Sequence, residues 1–202
     1  MQKLVIAISG KSGARKSTVA RYLKKRFPKS EVFRFSDSLR EFYAWLRNDF
    51  LPSGATVLPN VEASTSELQQ LSTTIRRIFG ESSLARAILA RVKQSFLETD
   101  IVIVEGVRRL IDIESLREDS SITFRHIHME AVPSVSHQRH AKRNEKPGDA
   151  DLSLGQFLTM VNAEAEAQID SLIPFADIVI DNSGTQEALD ETLRQLFDEW
   201  TV

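Results

Sequence analysis

The segment LVIAISGKSGARKST, residues 4–18, brings together groups that could bind phosphate. An apolar run ends at Gly10, and a glycine-containing loop then leads to Lys16 and Ser17. Backbone N–H groups in such a loop point inward, and the positive end of the following helix adds to them, so the two form a cradle for an anion. Lys16 would reach the outer phosphates, and the Ser17 hydroxyl would bind Mg²⁺. The sequence therefore predicts a phosphate-binding loop between a strand and a helix.

One position departs from the usual pattern GxxxxGK(S/T), because Arg15 stands where the second glycine belongs. If φ is positive there, an L-residue costs roughly 1–2 kcal/mol. Either the loop is reshaped or Gly13 takes over part of the glycine's role. An ordinary strand-to-helix turn is the alternative, but the apolar residues after the loop have helical spacing, which favours phosphate binding. These residues are Val19, Tyr22, Leu23 and Phe27.

Two carboxylates follow predicted strands. Glu105 ends the apolar run IVIVE, where an unpaired charge would be costly, so we expect it to have a functional role. Asp37 directly follows the second predicted strand and is either a ligand-binding group at the edge of the sheet or the N-cap of a helix. Arg40 lies three residues further on the same helical face. It either binds an anionic ligand or forms a surface ion pair.

The elements that must position these groups alternate between strands and helices. Beyond the first strand, β-rich runs predict strands at Glu31–Ser36, Ile101–Glu105, Ile122–Glu130 and Ile178–Asp181. Two of these runs, IVIVEG and DIVIDN, are almost continuously apolar, which is typical of parallel strands buried on both faces. We therefore predict an α/β domain of three layers. The four histidines, at 126, 128, 137 and 140, lack an obvious third ligand, so no zinc site is expected.

The composition suits one compact domain over residues 1–202, with 42% hydrophobic and 27% charged residues. A net charge of −2 gives no basic surface for nucleic acid. The absence of cysteine excludes disulfides and thiolate metal sites and fits a reducing cytoplasm. The first apolar run is too short for a signal peptide or a membrane span. We expect a cytoplasmic protein.

Two connections are candidates for moving parts. Residues 36–98 form a long helical region, in which the loop 51–65 contains proline and glycine and could act as a substrate flap. Residues 139–153 form a candidate lid, within which the charged insertion 142–153 contains Pro147 and Gly148. Arg139 and Arg143 lie four residues apart on one helical face there, so both could reach one polyphosphate. Solvated surface connections are the alternative for both.

Taken together, these segments resemble the P-loop small-molecule kinases, in particular the group of nucleoside and deoxynucleoside monophosphate kinases and dephospho-CoA kinases. The resemblance covers nearly the whole chain. It is carried by GKSGARKST, FSDSLRE, IVIVEGVRR, RHAKRNEKPGD and ADIVIDNSGTQEAL. It implies a P-loop NTPase fold with a five-stranded parallel sheet in the order 2-3-1-4-5. It also implies ATP and Mg²⁺ as cofactors, with 36–98 as the acceptor-binding region.

The resemblance also implies roles for individual residues. Lys16, Asp37, Arg139 and Arg143 would be catalytic, and Ser17 and Glu105 would hold the metal. The acceptor would be bound by Asp37, Arg40, Arg76 and Arg108, with Arg76 alternatively a solvated helix arginine. The donor nucleotide would be bound by Gly10, Ser12, Gly13, Ala14, Arg15, Lys16, Ser17, Thr18, Asn182 and Gly184.

Three functions remain in competition. The first is ATP-dependent phosphoryl transfer to a small phosphorylated metabolite, either a nucleoside monophosphate or a dephospho-CoA-like acceptor. The second is a nucleotide-binding module with weakened catalysis, which Arg15 motivates. The third is a nucleic-acid end kinase, which the near-neutral charge disfavours. No membrane partner is expected, and a homodimer remains open.

Overall fold

The computed structural model describes residues 3–48, 65–143, 151–162 and 168–199, leaving out the side chains at 47, 48, 65, 66, 143 and 199. Its strands are β1 (Lys3–Gly10), β2 (Glu31–Arg34), β3 (Ile101–Val107), β4 (Ile122–Glu130) and β5 (Ile178–Asp181). Its helices are α1 (Lys16–Arg26), α2 (Phe35–Asn48), α3 (Thr65–Phe79), α4 (Ser83–Ser95), α5 (Leu110–Arg117), α6 (Pro133–Arg143), α7 (Leu154–Val161) and α8 (Gln186–Glu199). A 3₁₀ helix at Asp170–Phe175 precedes β5.

The five strands form one parallel sheet in the order β2-β3-β1-β4-β5, which confirms the predicted topology. In the central strand β1, residues Val5 to Ile8 have no exposed surface. Both faces of this strand are covered, which explains why its sequence is continuously apolar rather than alternating. The carboxyl ends of all five strands lie along one edge, where ligands collect in open α/β sheets.

Helices cover both faces of the sheet and complete the predicted three layers. On one face, α2 to α5 pack against β1 and β3 through a core that includes Leu39, Leu68, Ile88 and Ile113. On the other face, α1 and α8 pack through a second core that includes Leu23, Leu193 and Phe197. Within the described residues, no helix is both long and apolar enough to cross a lipid bilayer.

Two predicted boundaries were wrong. The second strand ends at Arg34 rather than at Ser36, because Phe35 and Leu39 are spaced as a helix and both enter the core. The third strand continues past Glu105 to Val107, with a shift of register that leaves out Gly106. Most of the predicted flap, at 51–64, and the Pro147-Gly148 part of the predicted lid lie outside the described residues.

Candidate phosphate-binding site

The predicted phosphate loop connects β1 to α1 at the centre of the sheet edge. Two of its glycines have positive φ, 133° at Gly10 and 81° at Gly13. A Cβ at Gly10 would collide with the backbone carbonyl of Met129, and one at Gly13 with that of Ser136 on α6. Both positions therefore need glycine, for conformation as well as space. The loop is packed between β4 and helix α6.

Arg15 has the left-handed conformation, with φ 63° and ψ 34°. It is the one residue other than glycine with positive φ in the described part of the chain. The substitution has therefore kept a glycine-like backbone at this position. The Arg15 carbonyl accepts from the N–H groups of Thr18 and Val19, at 3.0 and 3.3 Å, so α1 begins directly after it.

Several groups of the loop are suited to binding an anion. The N–H groups of Gly13, Arg15 and Ser17 donate to no acceptor within the described residues. They lie at the N-terminus of α1, where the helix dipole favours negative charge. Lys16 folds back over the loop, and its Nζ donates to the carbonyls of Gly10 and Lys11 at 2.6 and 2.9 Å. A phosphate group could accept from this ammonium in place of those carbonyls.

The remaining loop residues are held by neighbouring elements. Ser12 Oγ lies 3.3 Å from Nδ1 of His140 on α6. The Ala14 carbonyl accepts from Nδ2 of Asn182 at 3.1 Å. Thr18 Oγ1 accepts from the Arg21 guanidinium at 3.3 Å.

Glu105 lies where a metal-binding carboxylate is predicted, next to β1 at the edge where the loop begins. It is 8% exposed, and its Oε2 accepts from Arg34 Nε at 3.0 Å. This ion pair explains how a charged group is tolerated at the end of an apolar strand. Ser17 and Glu105 offer the oxygen ligands that Mg²⁺ prefers. Within the described ranges, no group of three or more acidic or histidine side chains is placed to hold a metal ion.

The predicted acceptor-binding residues Asp37 and Arg40 are both half-buried. Asp37 lies in the first turn of α2, because the strand ends earlier than predicted, and it is therefore not the N-cap. Neither side chain has a hydrogen bond or ion pair with another described residue. Both are therefore available to a ligand at the carboxyl end of β2.

Arg76 differs from both sequence-based alternatives. Its side chain is 5% exposed, and its guanidinium donates to Asp112 Oδ1 at 2.9 Å and to the carbonyl of Glu81 at 2.5 Å. The other oxygen of Asp112 accepts from the backbone N–H groups of Arg108 and Arg109. Arg76 thus lies in a buried ion pair that fixes the backbone beside Arg108. Arg76 would therefore affect acceptor binding indirectly, by positioning the half-buried Arg108.

Arg139 on α6 donates from Nη1 to the Asn182 carbonyl at 2.5 Å and from Nη2 to the Gly184 carbonyl at 2.7 Å. The predicted lid arginine is therefore joined to the loop between β5 and α8, which contains the predicted nucleotide-binding residues Asn182 and Gly184. Burial, together with nearby Arg15, lowers the pKa of Arg139 below its ordinary value. The side chain of Arg143 lies outside the described residues.

A buried hydrogen-bonded chain, which sequence reasoning did not find, lies beneath the loop. Ser9 Oγ is 2.7 Å from His126 Nε2 and 2.8 Å from His128 Nδ1, and all three residues are almost fully buried. His126 Nδ1 lies 3.2 Å from the Phe175 carbonyl. A carbonyl only accepts, so we assign the proton to His126 Nδ1. Ser9 then donates to His126 and accepts from His128.

Burial of these hydrogen-bonded residues keeps the two imidazoles neutral. Burial lowers the pKa of His126, and burial together with the neighbouring His126 lowers the pKa of His128 to about 4. The sequence did contain a signal for this hydrogen-bonded group of Ser9, His126 and His128. The residues His126 and His128 alternate along β4, and Ser9 ends the neighbouring strand β1, but only the register pairs Ser9 with His128.

Arg34 was missed for the same reason. Its charge is visible in the sequence at the end of β2, but its partner Glu105 becomes evident only when the strand register is known.

Comparison with known proteins agrees with this geometry. No protein-family model matches the chain. A UPF0200 protein of Saccharolobus solfataricus is 24% identical over 195 residues, which cover 96% of this chain and 92% of that protein. A UPF0200 protein of Thermococcus kodakarensis is 21% identical over 198 residues, which cover 97% of each chain.

Two solved structures share the architecture along nearly the whole chain. Shikimate kinase from Bacteroides thetaiotaomicron matches with a TM-score of 0.56 at 12% identity, covering 96% of this chain and 98% of that one. Dephospho-CoA kinase from Campylobacter jejuni matches with a TM-score of 0.56 at 13% identity, covering 98% and 96%. At these identities the likeness concerns the fold. The chain has the fold of the P-loop kinases.

Proposed function

We propose that this protein is an ATP- and Mg²⁺-dependent kinase that phosphorylates a small phosphorylated metabolite. The observation that carries the proposal is the loop between β1 and α1, where the Lys16 ammonium and backbone N–H groups that donate to no described acceptor lie together at the N-terminus of α1. The P-loop kinase fold supports it. A nucleoside monophosphate and a dephospho-CoA-like molecule are the acceptors we propose.

Each group has a role in this reaction. The loop N–H groups and Lys16 would bind the outer phosphates of ATP and stabilise the charge that develops during transfer. Ser17 would bind Mg²⁺, with Glu105 orienting it, and the ion would neutralise part of the phosphate charge. Arg40 and Arg108 would hold the phosphate of the acceptor. Asp37 would accept a proton if the acceptor atom is a hydroxyl oxygen.

The lid residues complete the proposed site. Arg139 would act from the donor side, where it already contacts the loop after β5. We keep Arg143 as a second catalytic arginine, on the sequence argument alone. Closure of the region around α6 would exclude water from the phosphates.

The test is a coupled assay of ADP release with a panel of nucleoside monophosphates, dephospho-CoA and phosphomevalonate. We expect turnover with at least one acceptor, and a loss of at least about a hundredfold in kcat for Lys16→Ala, because one charge-stabilising donor contributes that much. Thermal unfolding of both proteins establishes that they are folded. Folded wild-type protein without turnover on any acceptor would contradict the proposal.

A second function is favoured by the left-handed Arg15, which stands where these loops have glycine. It is a nucleotide-binding module with weak catalysis, acting as a sensor or partner subunit. Calorimetry separates the two functions. ATP binding without turnover on the panel supports the module, and a gain of turnover in Arg15→Gly would show that this residue suppresses an existing activity.

A further inference from the structure

The Arg15 guanidinium has an unusual environment. Its Nη1 atom is buried and has no hydrogen-bond partner among the described residues. A buried charged donor without an acceptor is unfavourable, and so is the left-handed backbone from which it projects. Two unfavourable features at one residue in a binding loop indicate a functional constraint. The missing acceptor would then come from a ligand.

The surroundings of Arg15 suit an anion. Arg139 is near enough for Arg15 to lower its pKa, so two positive charges lie close together. An acidic group within electrostatic reach of Arg15 is Glu187, whose pKa is lowered by its own backbone N–H, by the Thr185 hydroxyl and by Arg15. Its carboxylate is therefore already engaged in the first turn of α8. A negatively charged ligand would relieve the repulsion between the arginines.

A second unpaired group lies beside this position. Asn182 is 2% exposed, and its Nδ2 donates to the Ala14 carbonyl, which fixes the orientation of the amide. The opposite atom, Oδ1, is buried and has no partner within the described residues. An unpaired acceptor and an unpaired guanidinium donor thus flank the same end of the loop. A ligand that carries an anion and a donor group would satisfy both.

The topology identifies which part of a nucleotide would lie here. Glu105 is on β3, on one side of β1, whereas Asn182 and Glu187 follow β5, beyond β4 on the other side. The Lys16 ammonium folds back to the first residues of the loop, Gly10 and Lys11. Arg15, in contrast, is the last residue of the loop before α1. The metal and the outer phosphates would occupy the Glu105 side. Arg15 therefore faces the inner, nucleoside end of the donor.

A groove lies near this end of the loop. It has a volume of about 830 Å³ and runs between α1 and α8. Its lining includes Thr18, Gln186 and Glu187. A nucleoside attached to the inner phosphate could extend toward this groove without displacing an element of the fold.

We propose that Arg15 binds the α-phosphate of the donor nucleotide, with Arg139 as a second positive charge beside it. The arginine is then a specific nucleotide contact of this chain, in place of the close backbone approach that glycine permits. This inference rests on the proposed function, because it requires a nucleotide in the loop. It also opposes the view that Arg15 impairs the site.

The experiment is calorimetric titration of the full chain with ATP and with ADP in the presence of Mg²⁺. The variants are Arg15→Gly, Arg15→Lys and, as a control that removes one exposed charge, Arg86→Ala on α4. Glycine suits the left-handed backbone, whereas lysine keeps the charge and the strain. Thermal unfolding of each variant shows whether it is folded.

We expect Arg15→Gly to bind both nucleotides about tenfold more weakly, as the loss of a charged hydrogen bond predicts, without unfolding at a lower temperature. Arg15→Lys should stay within about threefold of the wild type, and Arg86→Ala should match it. Equal or tighter binding by Arg15→Gly overturns the inference, as does a loss for ATP alone, which would place Arg15 on the γ-phosphate. Wild-type protein that binds neither nucleotide overturns both the inference and the proposed function.

Discussion

Single side chains in this site carry contacts that their residue types alone do not reveal. Glu105 is tolerated at the end of an apolar strand because Arg34 is 3.0 Å away. Arg15 keeps the backbone conformation of the glycine it replaces. In each case the sequence indicated a special position; the geometry shows an ionic partner for Glu105 and a left-handed backbone for Arg15.

Asp37 distinguishes two kinds of acceptor. If the acceptor atom is a hydroxyl oxygen, removal of the base in Asp37→Asn should lower kcat by about 10² to 10⁴ with little change in the KM for ATP. If the acceptor atom is a phosphate oxygen, which needs no base, kcat should change by less than about fivefold. The measurement is steady-state kinetics with the acceptor found in the coupled assay. Ser38→Ala, at the next position of α2, is the control.

A large fall in kcat for Asp37→Asn with a nucleoside monophosphate would contradict this reasoning. It would give Asp37 a role in orienting the acceptor rather than in accepting a proton.

Helices α3 and α5 are joined by a buried ion pair. Arg76 on α3 and Asp112 on α5 are 5% and 1% exposed, and Asp112 also accepts from backbone N–H groups before α5. Removing one member leaves a buried charge uncompensated. We expect Arg76→Ala to lower the free energy of unfolding by about 3 kcal/mol. Urea denaturation measures the effect.

The neighbouring Arg77, exposed on the same helix, provides the matched control. Arg77→Ala should change the free energy of unfolding by less than about 0.5 kcal/mol. If Arg76→Ala is equally stable and instead raises only the KM for the acceptor, Arg76 is an acceptor ligand and the structural role is wrong.

Secondary structure could be predicted from the sequence wherever the apolar residues of a segment follow either the helical or the strand spacing. The apolar runs predicted buried parallel strands and the resemblance implied their order, whereas the end of β2 was not predicted, because Phe35 suits both a strand and a helix. Arg76 carried a usable signal, since it is eight residues after the buried Leu68 on α3 and so shares its face. The contacts of Ser9 and Arg34 could not be predicted, because they depend on the register of neighbouring strands.

Over the fold as a whole, the central strand separates two parts of the site. Glu105 and the acceptor residues lie toward β3 and β2, while Arg139 and Asn182 lie toward β4 and β5. The loop after β1 joins these sides, and α6 packs on it through Ser136 and His140. A change in the residues beneath this loop could therefore affect both parts of the site.

The buried chain of Ser9, His126 and His128 makes the stability of the whole fold dependent on pH. The pKa of His128 is lowered to about 4, whereas an imidazole in the unfolded chain titrates near 6.5. Between these values the unfolded state binds more protons, so stability is complete above pH 6.5 and falls as the pH decreases toward 4. From pH 7 to pH 5 we expect a loss of about 2 kcal/mol from this residue.

Urea denaturation at several pH values checks this expectation, with His128→Gln as the comparison. Glutamine can still donate to Ser9 but does not titrate, so the variant should lose less stability than the wild type between pH 7 and pH 5. The difference between the two proteins removes the contribution of the carboxylates, which titrate in both. Equal losses in the two proteins would show that His128 is not the group responsible.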